Sequence, residues 1–221
     1  MLLLFCAVAP AILLCAFIYK IDKYEKEPFY LLALSLFYGT LLTCVIIPCE
    51  VYIINRLNTD SNFYYAFYMS FIAISPVEEG FKFLVLYMLL RFNSNLNEPV
   101  DGIVYAVFIS LGFALIENIF YVFNPQLGGY TTALARAIFS LPGHGIFGVF
   151  MGYLFSIGIF KDNKLYMLYA FLCPYILHGI YDFIIFIKSP LFFIPFFAFI
   201  SYLWIKSAQL INKHIQSSPF I

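Results

Sequence analysis

The sequence predicts an all-α, polytopic bundle of about seven transmembrane helices, and three observations lead to this fold class. Of the 221 residues, 63% are hydrophobic and only 11% are charged, and the mean hydropathy is +0.92. The apolar residues form seven long runs, and about 20 such residues suffice to cross a hydrocarbon layer as a helix. The polar connections between the runs are too brief to hold a soluble domain.

The predicted spans follow one another along the whole chain. They lie near residues 1–19, 29–54, 63–90, 101–123, 132–160, 165–187 and 191–205, and the last of them is short. The first run lacks the basic residues and the cleavage site of a removable signal peptide, so we expect it to remain as a span. Residues 1–221 are therefore expected to form a single integral-membrane domain, multi-pass in the lipid bilayer of the cell membrane.

Basic residues are distributed unequally between alternate loops. The first, third and fifth loops and the C-terminal tail together hold eight lysines and arginines, whereas the loops on the other side hold only Arg56 and Lys188. Cytoplasmic loops carry the excess of basic residues. The asymmetry predicts that the N-terminus lies outside the cell and the C-terminus inside.

Formal charge and cysteine usage argue against other classes of protein. The 12 basic residues balance the 12 acidic residues, so no surface for nucleic acid is expected. All five cysteines lie in apolar runs without Cys-x-x-Cys spacing. We interpret them as packing residues rather than disulfides or metal ligands.

Several ionisable residues nevertheless lie within the predicted spans. They are Glu78, Glu79, Lys82, Glu117, Arg136, His144, His178 and Asp182. Each charge near the bilayer centre costs roughly 2.5–3.5 kcal/mol, so the set requires compensation or a function. Arg136 lies one turn inside the outer end of its helix, where a long side chain can extend to the interface. Glu50, near the end of the second span, is interpreted as interfacial by the same argument.

The depth of these residues predicts one shared site. At about 1.5 Å per residue, the glutamate pair and the two histidines lie roughly 15–20 Å from the outer ends of their helices, and Glu117 and Asp182 near about 10 Å. Four helices thus deliver polar groups to one layer between the midplane and the outer leaflet.

Spacing along the helices predicts pairs within this layer. The pairs Glu78–Lys82, Glu117–Tyr121 and His178–Asp182 are each four residues apart and share a helix face. Asp182 can therefore accept a hydrogen bond from His178 and fix which ring nitrogen faces the site. For Lys82, an internal ion pair that only lowers the cost of burial remains the alternative.

Prolines precede three of the candidates. Pro76 lies two residues before Glu78, Pro142 two before His144, and Pro174 four before His178. A proline within a helix removes one hydrogen bond and favours a kink or a restart. Ser75, Pro76 and Glu78 match the N-cap, N1 and N3 positions of a capping box, which predicts a fresh helix start inside the membrane. The stretch "LPGHG" is expected to loosen the fifth span around His144 in the same way.

Carboxylates and histidines in a hydrated pocket allow two kinds of chemistry. A glutamate can activate water for peptide hydrolysis while histidines stabilise the oxyanion or bind a metal. The same residues can instead form a proton relay in a transporter. A membrane receptor or scaffold without turnover is a third, non-enzymatic alternative.

Four motifs resemble the PrsW family of intramembrane proteases in order and spacing. They are "EEGFKF", "DGIVYAVFISLGFALIENIFYV", "LPGHGIFGVFMGY" and "LHGIYDF". The resemblance implies functional roles for the following residues: Glu78, Glu79, Lys82, Glu117, Asn118, His144, His178 and Asp182. It also implies cleavage of a membrane-anchored, anti-sigma-factor-like protein from the outer side.

The family is distantly similar to the CAAX prenyl-protein proteases, in which a glutamate pair and two histidines activate water. Those enzymes end with His-x-x-x-Asn, whereas this chain has Asp182, which favours an orienting role for that residue. We expect Glu78 to be the general base, with Glu79 as its partner or a ligand, and Lys82 to neutralise the pair. Asp101, also matched by the family, suits a helix N-cap.

The charge balance of the polar layer allows a bound metal ion. The four carboxylates of the layer exceed its lysine and arginine by a formal charge of −2. A divalent ion such as zinc, bound by His144, His178 and Glu117 or Glu78, would cancel that charge. Two protonations would cancel it as well.

Overall fold

The computed structural model describes residues 1–220, and within them every regular element is helical. The α-helices are α1 (Leu2–Ile21), α2 (Phe29–Ile54), α3 (Asn62–Tyr68), α4 (Ser75–Leu90), α5 (Pro99–Val122), α6 (Tyr130–Ala135), α7 (Leu141–Phe160), α8 (Lys164–Phe186) and α9 (Phe193–Ile215). Two π-helical segments, Met69–Ile74 and Arg136–Ser140, connect α3 to α4 and α6 to α7. The 3-10 turn Pro190–Phe192 leads into α9.

All seven predicted spans are present as helical stretches. Among the described residues, six stretches are long and apolar enough to cross a membrane. The remaining stretch, α3 to α4, carries Glu78, Glu79 and Lys82, and these charges distinguish it from the other six. The predicted fold class, a multi-pass membrane helix bundle, is confirmed, whereas the orientation stays a prediction.

The last span is longer than predicted. It extends over Pro190–Ile215, whereas the sequence suggested an end near residue 205. Leu203, Ser207, Ile211 and His214 are buried at intervals of three or four residues. One face of α9 therefore stays packed while Lys206 and Lys213 lie off that face, so the lysines do not end the helix.

Helix α5 lies at the centre of the bundle, and every residue from Val100 to Ala114 is buried. Two pairs of glycines allow close backbone contacts there. A Cβ atom at Gly39 would lie 2.2 Å from the carbonyl oxygen of Ile109, and one at Gly152 would lie 2.2 Å from that of Gly102. Small residues at such crossings let membrane helices pack backbone to backbone.

The predicted helix restart at Ser75 is wrong. Ser75 has helical dihedral angles (φ −59°, ψ −39°), and its N–H group donates to the carbonyl of Ser70, five residues earlier. The backbone thus accommodates Pro76 by widening into a π-segment instead of breaking. The second π-segment lies just before Pro142, so the irregular backbone ends before His144 rather than surrounding it. Pro174 lies within α8 without a break.

A group of buried acidic residues lies at the N-terminal end of α5. It consists of Asp22, Glu27, Glu98 and Asp101, and we call it the loop-side cluster. All four are at most 5% exposed. Glu98 is the N-cap of α5, and Asp101 at N3 accepts a hydrogen bond from the Glu98 N–H group. The N-cap assignment of Asp101 is therefore wrong by three residues, although its role is structural as expected.

Candidate active site

A cavity of about 390 Å³ lies near the end of the bundle opposite the loop-side cluster. Helices α4, α5, α7, α8 and α9 and the second π-segment contribute to its walls. Its charged and imidazole-bearing lining residues are Glu78, Glu117, Arg136, His144, His178 and Asp182. Aromatic and aliphatic side chains, including Phe139, Phe147, Tyr181 and Phe196, form much of the rest. The cavity is therefore a mostly apolar chamber with one polar wall.

Four side chains at or directly behind that wall converge closely. Each of Glu78, Glu79, His144 and His178 offers one potential ligand atom, and the four atoms lie within 4.8 Å of one another. The four residues are between 0% and 4% exposed. We call them the central group. The structure thus brings together residues from three helices that are up to 100 positions apart in the sequence.

Lys82 is the cation of the central group. Its Nζ atom lies 2.8 Å from Glu78 Oε2 and 2.9 Å from Glu79 Oε1. It also lies 3.3 Å from His144 Nδ1 and packs over the ring of Phe113 at 4.5 Å. A fully buried lysine with these contacts holds the two adjacent carboxylates together, since either one alone would be an uncompensated charge in the membrane.

The two histidines are each held between two carboxylates. His178 Nδ1 lies 2.9 Å from Glu79 Oε1, and its Nε2 lies 3.4 Å from Asp182 Oδ2. His144 Nδ1 lies 3.9 Å from Glu78 Oε2, and its Nε2 lies 3.1 Å from Glu117 Oε2. Both rings therefore direct Nδ1 to the glutamate pair and Nε2 to an outer carboxylate. The predicted proximity of His178 and Asp182 is present, as an ion-pair contact rather than a hydrogen bond.

Arg136 belongs to this site, and its interpretation as a residue extending to the interface is wrong. Its guanidinium lies 2.5 Å from Glu117 Oε2, donates to Asn118 Oδ1 at 2.9 Å, and stacks on Tyr121 at 4.2 Å. Asn118 in turn donates to the backbone carbonyl of Ala7 in α1. Arg136 and His144 are eight residues apart, about two helical turns, and therefore share a helix face. This spacing could have predicted that both side chains face the cavity.

The cavity distinguishes the two glutamates. Glu78 lines it, whereas Glu79 and Lys82 do not and lie behind. A molecule in the cavity can therefore reach the carboxylate of Glu78 directly and that of Glu79 only past it. Glu50, predicted to be interfacial, is half-buried one turn before the end of α2, and its Oε1 atom has no hydrogen-bond partner.

The central group is chemically suited to a divalent metal ion. Two carboxylates and two imidazoles are ligands that zinc commonly takes. The buried Oε2 atom of Glu79 has no hydrogen-bond partner, which leaves one donor of the set uncommitted. Glu117, predicted as a ligand, lies outside the group and contacts Arg136 and His144 Nε2 instead. In this geometry Glu79 takes the place in the donor set that the sequence suggested for Glu117.

Comparison with known proteins identifies the family of this chain. A family model described as PrsW family intramembrane metalloprotease matches residues 27–205. The chain belongs to this family. It is therefore a membrane-embedded peptidase, which favours the protease prediction over the transporter and scaffold alternatives. The metalloprotease description agrees with the donor set of the central group.

Several relatives named Protease PrsW cover nearly the whole chain. The one from Oceanobacillus iheyensis is 37% identical over 210 residues, 93% of this chain and 93% of the relative. The one from Clostridioides difficile is 32% identical over 217 residues, 96% of this chain and 91% of the relative. The one from Bacillus subtilis is 30% identical over 207 residues, 91% of this chain and 92% of the relative. No solved structure gives a significant match.

Proposed function

We propose that this PrsW-family peptidase cleaves a membrane-anchored, anti-sigma-factor-like protein near the outer leaflet, with Glu78 activating the attacking water. The convergence of Glu78, Glu79, His144 and His178, whose potential ligand atoms lie within 4.8 Å of one another beside the cavity, carries this proposal. Residues 1–221 act as a single integral-membrane protease domain in this account.

Glu78 is the general base because it is the glutamate that faces the cavity. Its carboxylate takes a proton from water, and the water oxygen attacks the carbonyl carbon of the scissile peptide bond. The bond between carbon and nitrogen then breaks as the proton passes to the leaving nitrogen. The products are a carboxylate on one fragment and an amine on the other.

The charges around Glu78 hold it ready for this role. Lys82 contacts both glutamates and so reduces the repulsion between them. Glu79 accepts from Lys82 and faces His178 Nδ1, so it positions the lysine and the ring rather than contacting the substrate. A base that is buried but paired retains its negative charge at lower cost than an isolated one.

His144 and His178 stabilise the negative charge that develops on the attacked carbonyl oxygen. Asp182 orients His178, and Glu117 does the same for His144, with Arg136 and Asn118 holding Glu117 in place. A divalent ion such as zinc, held by His144, His178 and the glutamate pair, would polarise the carbonyl and acidify bound water.

The substrate class is supported by the shape and composition of the cavity. Its apolar and aromatic walls suit a segment of a transmembrane helix, and its polar wall lies at one side only. The predicted orientation places this end of the bundle toward the outer leaflet. An anti-sigma-factor-like protein with one membrane span meets both requirements.

Cleavage by purified protein in liposomes tests the proposal. We expect a single-span model substrate to be cut by the wild-type protein and by Glu25→Gln, whose side chain is exposed in the first loop. Glu78→Gln should lower the rate by about 10²–10⁴-fold, the range for loss of a general base. Transport without cleavage, or unchanged cleavage by Glu78→Gln, would contradict the proposal.

A metal assay on the same preparations tests the cofactor. We expect about one equivalent of zinc or another divalent ion per wild-type chain, reduced severalfold in His144→Ala but not in Glu25→Gln. Chelation should abolish cleavage, and readdition of the ion should restore it. Full activity of metal-free protein would instead support histidines acting alone as oxyanion donors.

A further inference from the structure

We propose that Tyr175 is a positioning residue whose hydroxyl group completes the backbone of the π-segment that directs Glu78 toward the cavity. The proposal rests on the role of Glu78 given above.

Pro76 leaves one carbonyl of the π-segment without its backbone partner. In a π-helix each N–H group donates to the carbonyl five residues earlier, and Ser75 follows this rule by donating to Ser70. The next bond in the series would run from residue 76 to the carbonyl of Phe71. Proline has no N–H group, so this bond cannot form within the helix.

Tyr175 of α8 supplies the missing donor. Its hydroxyl lies 3.0 Å from the carbonyl oxygen of Phe71, and this side chain is part-buried. The ring is held in place by stacking on Phe171, with centroids 5.9 Å apart and planes 8° apart. The ring of Phe71 meets it edge-on at 6.3 Å. The contact therefore joins two residues that are 104 positions apart through well-packed aromatic side chains.

A glycine one turn further along α8 allows this close docking. A Cβ atom at Gly179 would lie 2.4 Å from Cε1 of Phe71 and 3.1 Å from Oγ of Ser75. Ser75 Oγ itself donates to the Ser70 carbonyl at 2.5 Å. Tyr175 and Gly179 thus fit one helix face against the π-segment, and His178 lies between them in the sequence.

The π-segment determines which glutamate faces the cavity. Inserting one extra residue into a helical turn rotates everything beyond it by about 100° relative to a regular helix. Without the extra residue, α4 would present another position than Glu78 to the cavity. By satisfying the Phe71 carbonyl, Tyr175 stabilises the widened form over the regular one. It acts on catalysis through the backbone and does not touch the substrate.

A double-mutant cycle tests this inference. Tyr175→Phe removes the hydroxyl, and Pro76→Ala restores an N–H group that can donate to Phe71. We expect Tyr175→Phe to lower kcat about tenfold, which corresponds to an increase of ~1.4 kcal/mol in the activation free energy. KM should change by less than twofold. In the Pro76→Ala background the same substitution should lower kcat by less than twofold. Tyr169→Phe, which removes an exposed hydroxyl from the same helix, is the matched control and should leave kcat unchanged.

Two results would overturn the inference. Equal effects of Tyr175→Phe in both backgrounds would show that the hydroxyl does not act through the Phe71 carbonyl. Coupling in thermal stability without coupling in kcat would show a purely structural role. If Pro76→Ala does not fold, Pro76→Ser restores the same N–H group.

A third measurement separates this inference from the proposed function. Amide hydrogen exchange over residues 70–80 is read in all four proteins and needs no activity. If Glu78→Gln still cleaves, the general-base role fails. Even in that case, the backbone contact would be supported if amide exchange is faster in Tyr175→Phe and returns to the wild-type rate when Pro76→Ala is added. Unchanged exchange in Tyr175→Phe would contradict the contact.

Discussion

The cavity site and the loop-side cluster lie toward opposite ends of α5, where Glu117 and Asp101 are ~24 Å apart along the helix axis, and they balance buried negative charge in different ways. In the central group Lys82 contacts both glutamates, and Arg136 contacts the neighbouring Glu117. In the loop-side cluster, within residues 1–220, no lysine or arginine forms an ion pair with any of the four carboxyl groups. Lys26 donates to backbone carbonyls there, not to carboxylates.

Without ion-paired cations, the loop-side cluster binds protons more readily than exposed carboxyl groups do. Burial raises the pKa of Asp22 to about 6, although the Glu27 N–H group donates to it. Burial also raises the pKa of Glu27 to about 7, although Tyr105 donates to its carboxylate. The comparison indicates two ways of compensating buried carboxyl groups: lysine and arginine pair with them at the cavity site, whereas proton binding is favoured in the loop-side cluster.

The largest expected effect follows from removing the cation of the central group. Lys82→Met would leave two adjacent buried carboxylates without the lysine that contacts both, which we expect to destabilise the protein by ~3–5 kcal/mol. Lys26→Met, at an exposed lysine of the first loop, should cost less than ~1 kcal/mol. Unfolding in mixed micelles measures both variants. Similar losses for the two would remove the distinction between the clusters.

A smaller effect is expected from Asp182, which orients His178. Asp182→Asn keeps a carbonyl oxygen that can accept from Nε2 but loses the charge that favours this orientation. We expect cleavage to fall about 10–100-fold, as for other outer partners of histidine ligands. Single-turnover kinetics at several pH values measure the change. Full activity would mean that His178 is held by Glu79 alone.

The smallest effect concerns pH and stability at the loop-side cluster. The pKa values of Asp22 and Glu27 are higher in the folded state than their ordinary values of 3.8 and 4.5. At a pH between the ordinary and the raised values, the native state therefore binds more protons than the unfolded state. The free energy of unfolding should therefore fall as pH rises from about 4 to 7.

Glu27→Gln isolates this contribution. The variant should flatten the pH dependence of unfolding and leave cleavage within about twofold of wild type. The difference between the two proteins is read by thermal unfolding at fixed ionic strength, so other titrating groups cancel. A steeper pH dependence in the variant would contradict the assignment of protons to this cluster.

The sequence predicted the fold because charge is so rare in it. Apolar runs identified each helix, and the few interruptions located the polar layer. Counting residues from the helix ends placed Glu78, Glu79, His144 and His178 at one depth, and the structure brings them together. Their catalytic roles stay predictions.

Other features depend on contacts between helices, which spacing along one helix does not encode. The sequence position of Arg136 is compatible with two roles, an interfacial residue and an ion-pair partner of Glu117. Only the packing of α5 beside it distinguishes the two roles. The pattern of Ser75, Pro76 and Glu78 is the same for a capped helix start and for a π-segment. The donor that favours the π-segment is Tyr175, 100 residues further along the chain.

The glycine contacts of α5 limit which parts of this peptidase can move. Gly39 and Gly112 fix α2 against one half of α5, and Gly102 and Gly152 fix α7 against the other. Sliding of any of these three helices would force backbone atoms into each other. A substrate segment must then enter through a peripheral helix. The first half of α9 is the loosest such element, because it contributes no buried residue before Ile200.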